Sequence, residues 1–404
     1  MITRAQYLNK LINWKDKPLI KVITGVRRCG KSSLLLLFKD YLKDIQVDDQ
    51  HIIHMNFESM LFNEINDYRE LYQKIAATIG TSSEKHYILL DEIQLIDRWE
   101  KCINGLMVDH NVDIYITGSN SYLLSSELST LISGRYVEIK MLPLSFKEYL
   151  DFCHASLDDN RNSIENRFEE FMKYGGFPSL AVFGNQEEFA GDLLTGIYNT
   201  VVMKDIIQRN QVRDPTLLEN LIRFLAANVG SIVSTRKISN YLTSSGRKVS
   251  SDTIDNYLRM IESSYIIYKA SRYDLKGKLF LKTLEKYYIV DSGVRNMLAG
   301  PRNTDEGHVL ENIIYLELIR RGYDVSIGKV GDLEVDFLAV KQSEKIYVQV
   351  SLTIHDESTR EREIKPLKAI RDNYPKFIIT MDKVIFDDLD GIKVVNAIDF
   401  LLEK

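Results

Sequence analysis

Three cysteines, seven prolines and two tryptophans are spread over 404 residues, and each scarcity excludes something. Cys29, Cys102 and Cys153 are odd in number and widely spaced, so they form neither a disulfide framework nor a zinc signature. A reducing compartment is expected. Seven prolines and 21 glycines are too few for long flexible linkers. Charge of one sign is also lacking. Fifty-two Lys and Arg stand against 57 Asp and Glu, a net of −5, which excludes a globally basic nucleic-acid coat but not a local basic patch. The longest aliphatic run, Leu34 to Phe38, falls far short of the ~20 residues of a membrane span. Met1 to Gln6 contains no apolar signal core. These absences predict a cytoplasmic protein without membrane contact.

What remains is ample core-forming material, 45% hydrophobic against 27% charged residues, and a length that suggests two or three domains at roughly 150 residues each. The first part of the chain alternates short β-branched runs with amphipathic stretches. Strands are expected at Ile20–Thr24, His51–Phe57, His86–Asp91, Asp113–Thr117 and Arg135–Lys140. Helices are expected at Lys31–Leu42, Asn63–Ile79, Trp99–Val108 and Ser121–Ile132. That alternation predicts an α/β fold with a parallel sheet covered on both faces, and near-continuously apolar strands suit it.

Gly25-Val26-Arg27-Arg28-Cys29-Gly30-Lys31-Ser32 fits G-x-x-x-x-G-K-[ST] between a predicted strand and a predicted helix. The glycines let successive N–H groups turn inward as an anion nest, and the following helix adds its positive dipole end. Lys31 would bridge the β- and γ-phosphates of ATP, and the Ser32 hydroxyl would ligate Mg²⁺. Ser33 completes the expected cofactor-binding set. Arg27 and Arg28 read either as extra phosphate contacts or as surface charge.

Tyr87-Ile-Leu-Leu-Asp91-Glu92 ends an apolar strand in two carboxylates, at the sheet edge where open α/β sheets bind ligands. Asp91 is the expected Mg²⁺ holder and Glu92 the group that orients and deprotonates water. After the fourth strand, Asn120 is chosen as the polar contact to the γ-phosphate or the water, with Ser119 as its rival. Arg135 would neutralise charge on a γ-phosphate, in its own site or a neighbour's.

With Gly25 to Ser32, Leu90-Asp-Glu-Ile-Gln94 followed by Trp99, Ile116-Thr-Gly-Ser-Asn120, Ser133-Gly-Arg135, Leu142-Pro-Leu-Ser-Phe-Lys-Glu-Tyr149 and Tyr174-Gly-Gly-Phe-Pro178, the chain resembles AAA+-type P-loop ATPases, within a widespread prokaryotic group. The resemblance implies a P-loop NTPase core over residues 1–144 and a helical lid over 145–210. A winged-helix-like domain over 211–300 and a C-terminal domain over 301–404 would follow. The family's arginine-finger role carries to Arg135.

In the winged-helix-like segment, Ser251 to Tyr257 would open the recognition helix. Arg236, Lys237, Arg247 and Lys248 precede it, and Lys276, Lys278 and Lys282 lie in the wing, a local cluster suited to DNA phosphates or to packing on a protein. The C-terminal segment resembles the restriction-endonuclease-like α/β fold. Glu311 falls on its first helix and Asp336 on a strand as a metal-binding carboxylate. Gln349 follows on the next strand, but Ser351 stands where active members carry lysine. A serine supplies no charge, so a non-cutting domain is expected. Arg360 and Arg362 are further candidate phosphate contacts at the start of a solvated helix. The resulting expectation is a Mg²⁺-dependent ATPase that moves C-terminal domains, with DNA and further copies of itself as candidate partners. The alternatives are a nucleotide-switched scaffold for a protein partner and an ATP-gated DNA nuclease.

Overall fold

The computed structural model describes residues 2–121, 134–153, 161–183, 187–244, 249–300, 306–383 and 388–403. The chain forms two compact units, one of Met1–Met141 with Ser263–Tyr265, the other of Leu142–Glu262 with Ile266–Lys404.

The first unit runs α1 (Ala5–Trp14), β1 (Ile20–Thr24), α2 (Lys31–Asp44), β2 (Ile52–Asn56), α3 (Tyr68–Ile79), β3 (His86–Asp91), α4 (Trp99–Asp109), β4 (Val112–Gly118) and β5 (Tyr136–Lys140). Its five strands are all parallel, in the order β2-β3-β4-β1-β5. One face is covered by α3 and α4. Leu71, Ile75 and Ile79 recur every fourth residue along α3, and Trp99, Cys102, Ile103 and Leu106 along α4, packing on Ile53, Ile88, Leu90 and Ile116 of the strands. On α2, Leu34, Leu35, Phe38 and Leu42 are buried, and the Phe38 ring packs on Tyr115 of β4 at 4.4 Å with a 39° tilt. The helix expected from Asn63 starts only at Tyr68, because the Asp67 side chain caps it by accepting from Arg69 N and Glu70 N. The helix expected at Ser121–Ile132 lies, but for Ser121, outside the described residues.

The buried Lys21 of β1 is ion-paired with Asp113 of β4 and donates to Lys17 O at 2.8 Å. This pair sits at the end of the sheet opposite the phosphate loop and holds β1 against β4.

The second unit begins with α5 (Phe146–Phe152), α6 (Arg161–Tyr174), α7 (Pro178–Phe183) and α8 (Glu187–Thr200). A capping box joins Ser145 and Glu148 at the start of α5. After α8, Val201–Gln208 winds as a π-helix. Then come α9 (Pro215–Ala227), β6 (Ile232–Val233), α10 (Thr235–Ser244), α11 (Ser251–Ser263), the hairpin β7 (Ile267–Asp274) and β8 (Leu279–Ile289), and α12 (Ser292–Ala299). Last are α13 (Glu306–Arg320), β9 (Asp324–Val330), β10 (Leu333–Lys341), β11 (Glu344–Ser351), α14 (Glu357–Lys368), β12 (Lys376–Thr380), β13 (Asp388–Leu389), β14 (Ile392–Asn396) and α15 (Ala397–Leu402). α14 starts at Glu357, since Asp356 caps it by accepting from Thr359 N.

Among the described residues, the nine strands of this unit share one sheet, in the order β13-β14-β12-β11-β10-β9-β7-β8-β6. β7 pairs in parallel with β9 through Arg272–Ile327, Tyr273–Gly328 and Asp274–Lys329. The segment expected to be winged-helix-like and the C-terminal segment are thus joined by backbone hydrogen bonds. α13 is buried nearly all round, from Val309 to Leu318, which explains its lack of a polar face and makes its buried Glu311 and Glu317 depend on charged partners.

Candidate nucleotide site

The site forms where the parallel strands of the first unit end. Leaving β1, the chain turns at Gly25, whose φ is +149° and whose added Cβ would stand 2.1 Å from the Met141 carbonyl oxygen. No side chain fits there, so the first motif glycine is demanded by space as well as by backbone angle. Gly30 takes φ +103° at the N-cap of α2. Val26 and Cys29 are buried, Arg27 half-buried, and Arg28 exposed. Arg4 braces the loop from behind by donating to Cys29 O at 2.9 Å. Arg27 is ion-paired with Glu58 at 2.6 Å.

Lys31, the first residue of α2, is 4% exposed. Its ammonium donates to the Gly25 and Val26 carbonyls at 3.1 and 3.3 Å and lies 3.6 Å from Glu92 Oε1. Ser32 is half-buried and Ser33 exposed.

Because β4 lies between β1 and β3, the end of β4 faces both the phosphate loop and the Asp91–Glu92 pair. Asp91 closes β3. Its Oδ1 accepts from Thr117 Oγ1 at 2.5 Å and its Oδ2 from Asn56 Nδ2 at 3.0 Å, and the Ser32 hydroxyl bonds to it as well. Burial pushes the Asp91 carboxyl up, the Thr117 and Ser32 hydroxyls pull it down, and the upward push wins. Glu92 sits at φ +56°, in the left-handed region. Burial works to raise this carboxyl too. The charges of Lys31 and Arg27, with hydrogen bonds from Gln94 and Ser119, outweigh burial and hold it below the usual range. The two adjacent acids therefore shift in opposite directions.

Two polar residues that the motif reading passed over enter here. Thr117, on β4, also accepts from Glu92 N at 2.9 Å, so one hydroxyl joins both acidic residues. Asn56, at the end of β2, fixes the outer Asp91 oxygen. Their signal in the sequence is their place at the C-terminal ends of strands that flank β3. Of the two residues weighed after β4, Ser119 reaches the Glu92 carboxylate, while Asn120 is buried immediately beyond it.

Arg135 is set apart from this group. It directly precedes β5, is exposed, and its carbonyl accepts from Ile20 N at 2.9 Å. Since β1 and β5 are parallel and Ile20 registers with Tyr136, Arg135 stands at the edge where β1 begins. The phosphate loop lies at the other edge, on the order of 13 Å of strand away.

The donor set fits a nucleoside triphosphate with Mg²⁺. A glycine-formed turn leads into a helix N-terminus, a lysine heads that helix, and a serine hydroxyl meets a carboxylate. The fold and this donor set are those expected of an AAA+ P-loop ATPase. An AAA-domain family model matches residues 17–150, and a model for a domain of unknown function matches residues 165–305. An uncharacterized protein of Haemophilus influenzae is 45% identical over 404 residues, covering 100% of this chain and 99% of that one. An uncharacterized protein of Methanocaldococcus jannaschii is 32% identical over 411 residues, covering 96% and 89%. The chain belongs to the same family as these two proteins. Among solved structures, a Walker-type ATPase of Pyrococcus abyssi shares the fold at TM-score 0.52 and 18% identity, over 74% of this chain and 96% of that one. Among the described residues, no helix is long and apolar enough to cross a membrane.

Proposed function

We propose that the protein binds ATP with Mg²⁺ at the end of β1 and hydrolyses it. The arrangement of Lys31, Asp91, Glu92 and Thr117 supports this best. Lys31 binds the β- and γ-phosphates, its carbonyl and Glu92 contacts being exchanged for phosphate oxygens. Ser32 and Asp91 hold the Mg²⁺, which neutralises charge on the phosphates. Glu92, charged at neutral pH, accepts the proton of the attacking water, and Ser119 and Gln94 aim its carboxylate. Gly25 to Ser33 supply the backbone cradle, and Asn120 is the further polar residue assigned to the γ-phosphate or the water. The test is phosphate release with MgATP by the wild type and by Lys31→Ala. Equal rates would refute the assignment.

Arg135 enters this reading as a residue that serves a second copy of the chain, since its strand end lies away from its own phosphate loop.

The finer reading, in which hydrolysis moves a DNA-binding segment, is supported by Arg236 and Lys237 on α10 and Lys276 and Lys278 at the hairpin tip, all exposed. α11 does not add to it, because its exposed face carries Asp252 and Asp255 beside Arg259. Arg247 and Lys248, and the side chain of Lys282, lie outside the described residues. ATPase rate with duplex DNA at low and high salt tests this reading. Salt-sensitive stimulation favours the DNA-coupled ATPase, and an unchanged rate favours the nucleotide-switched scaffold.

A further inference from the structure

The C-terminal segment lacks a lysine at position 351, and the Ser351 hydroxyl is turned to its own loop, donating to Thr353 O at 3.0 Å. A lysine nevertheless stands among the acids, and it comes from another part of the chain. Lys286 of β8, 4% exposed, places its ammonium 3.1 Å from Glu311 Oε1 on α13, 3.0 Å from Glu334 Oε1 and 3.6 Å from Asp336 Oδ1 on β10.

We propose that the Lys286 ammonium is the resident cation of this carboxylate centre, taking the role a divalent metal has in such clusters, and that the centre is a latch joining β8 to α13 and β10.

Three observations carry this. First, three carboxylates converge on this one ammonium, and hydrogen bonds fix two of them in place. Glu311 Oε1 takes a hydrogen bond from Tyr288 OH at 2.7 Å, and Asp336 Oδ2 takes one from Val350 N at 2.9 Å. Gln349 Oε1 is held by Asp336 N at 3.0 Å, while its amide nitrogen donates to Glu363 at 2.9 Å. Second, an ammonium and a divalent ion a few ångströms apart in a buried site repel strongly, so they exclude each other. Third, a second contact tightens the same junction. The Asn312 amide of α13 accepts from Ile289 N at 2.8 Å and donates to Ile289 O at 2.9 Å, fixing the end of β8 on the helix that carries Glu311.

The exclusion is reciprocal, and that makes it testable. Mn²⁺ binding and thermal unfolding are measured on the full chain without nucleotide. The wild type is expected to show no Mn²⁺ site at this centre. Lys286→Ala should lower Tm by roughly 10 °C and gain a Mn²⁺ site that recovers part of the loss, and adding Asp336→Asn should abolish the gain. A destabilised Lys286→Ala that ignores Mn²⁺ overturns the proposal. Should that variant not fold, Asp336→Asn alone decides. It keeps an acceptor for Val350 N but removes one of the carboxylates that hold Lys286, so Tm should fall by about 5 °C, and an unchanged or raised Tm speaks against the latch. Mn²⁺ binding by the wild type that Asp336→Asn removes and Asp91→Asn leaves intact overturns it as well. So does plasmid nicking with the same dependence, which would restore the nuclease reading. None of these outcomes depends on ATP hydrolysis.

Discussion

Thr117 donates its hydroxyl hydrogen to Asp91 at 2.5 Å while its oxygen accepts the backbone N–H of Glu92 at 2.9 Å. The residue read as metal holder and the residue read as water activator are thus positioned by one side chain on the neighbouring strand. Thr117→Val should lose both bonds with little change in shape. Leaving the buried Glu92 N–H unsatisfied costs about 1–3 kcal/mol, and kcat should fall about tenfold or more, with a raised Mg²⁺ requirement. Thr117→Ser keeps the hydroxyl and should restore most of the rate. Steady-state kinetics over a Mg²⁺ series separates the variants, and equal Mg²⁺ curves for valine and threonine would refute the role.

Lys31 and Glu92 are expected to fail in different ways. Lys31→Ala removes the phosphate contact and should lower ATP turnover by at least about a hundredfold, with binding weakened as well. Glu92→Gln leaves the cradle intact and removes the proton acceptor, so ATP should bind and remain uncleaved. Equilibrium binding beside single-turnover hydrolysis reads both. A Glu92→Gln chain that no longer binds ATP would make Glu92 a structural partner of Lys31.

Gly25→Ala forces a methyl group into the Met141 carbonyl at a backbone angle that suits glycine. The strand behind the loop has no room to retreat, because Thr24 O is bonded to Met141 N at 2.7 Å. Nucleotide binding should be lost and Tm lowered. An alanine variant with native affinity for ATP would show that the loop relaxes more easily than this contact allows.

Asp291 gives a pH dependence independent of the nucleotide. Burial raises its pKa from 3.8 to about 6, against backbone hydrogen bonds from Gly176, Val294 and Gly293. The distances to Gly176 N and Val294 N are 2.6 and 3.1 Å. A carboxyl with a raised folded pKa binds more protons in the folded chain, so its contribution to stability falls as pH rises through the window from about 4 to 6. The shift is on the order of 3 kcal/mol. Asp291→Asn cannot ionise. Between pH 4 and 6 its Tm should gain on the wild type by about 5–10 °C, and parallel Tm curves would contradict the shift.

How much of this was legible beforehand depends on the distance over which each feature is built. The phosphate loop is a local object. Eight consecutive residues between a strand and a helix specify it, and spacing alone located Lys31 and Ser32. Asp91 and Glu92 were readable because they end an apolar run. Thr117 and Asn56 were not, because their contacts follow from the strand order β2-β3-β4-β1, which periodicity does not reveal. Lys286 shows the same limit more sharply. The motif expects its lysine two residues beyond Gln349, on the same strand, whereas the charge arrives from a hairpin that joins the sheet through β7 and β9. Asp291 carries no motif in the sequence, and only its burial against Gly175 and Gly176 gives it a role.

Arg135 supplies the last prediction. Lying where β5 begins, at the edge of the sheet away from its own phosphate loop, it can serve only another copy's γ-phosphate if it serves one at all. Arg135→Ala should then be slow in turnover yet normal in ATP binding, and Lys31→Ala should be inactive with its arginine intact. Mixed at high concentration, the two variants regenerate active pairs, because one contributes the loop and the other the arginine. The mixture should exceed the summed rates of its parts, with a concentration dependence that follows assembly measured by light scattering. Strict additivity at every ratio, with stable association present, would leave Arg135 a surface charge.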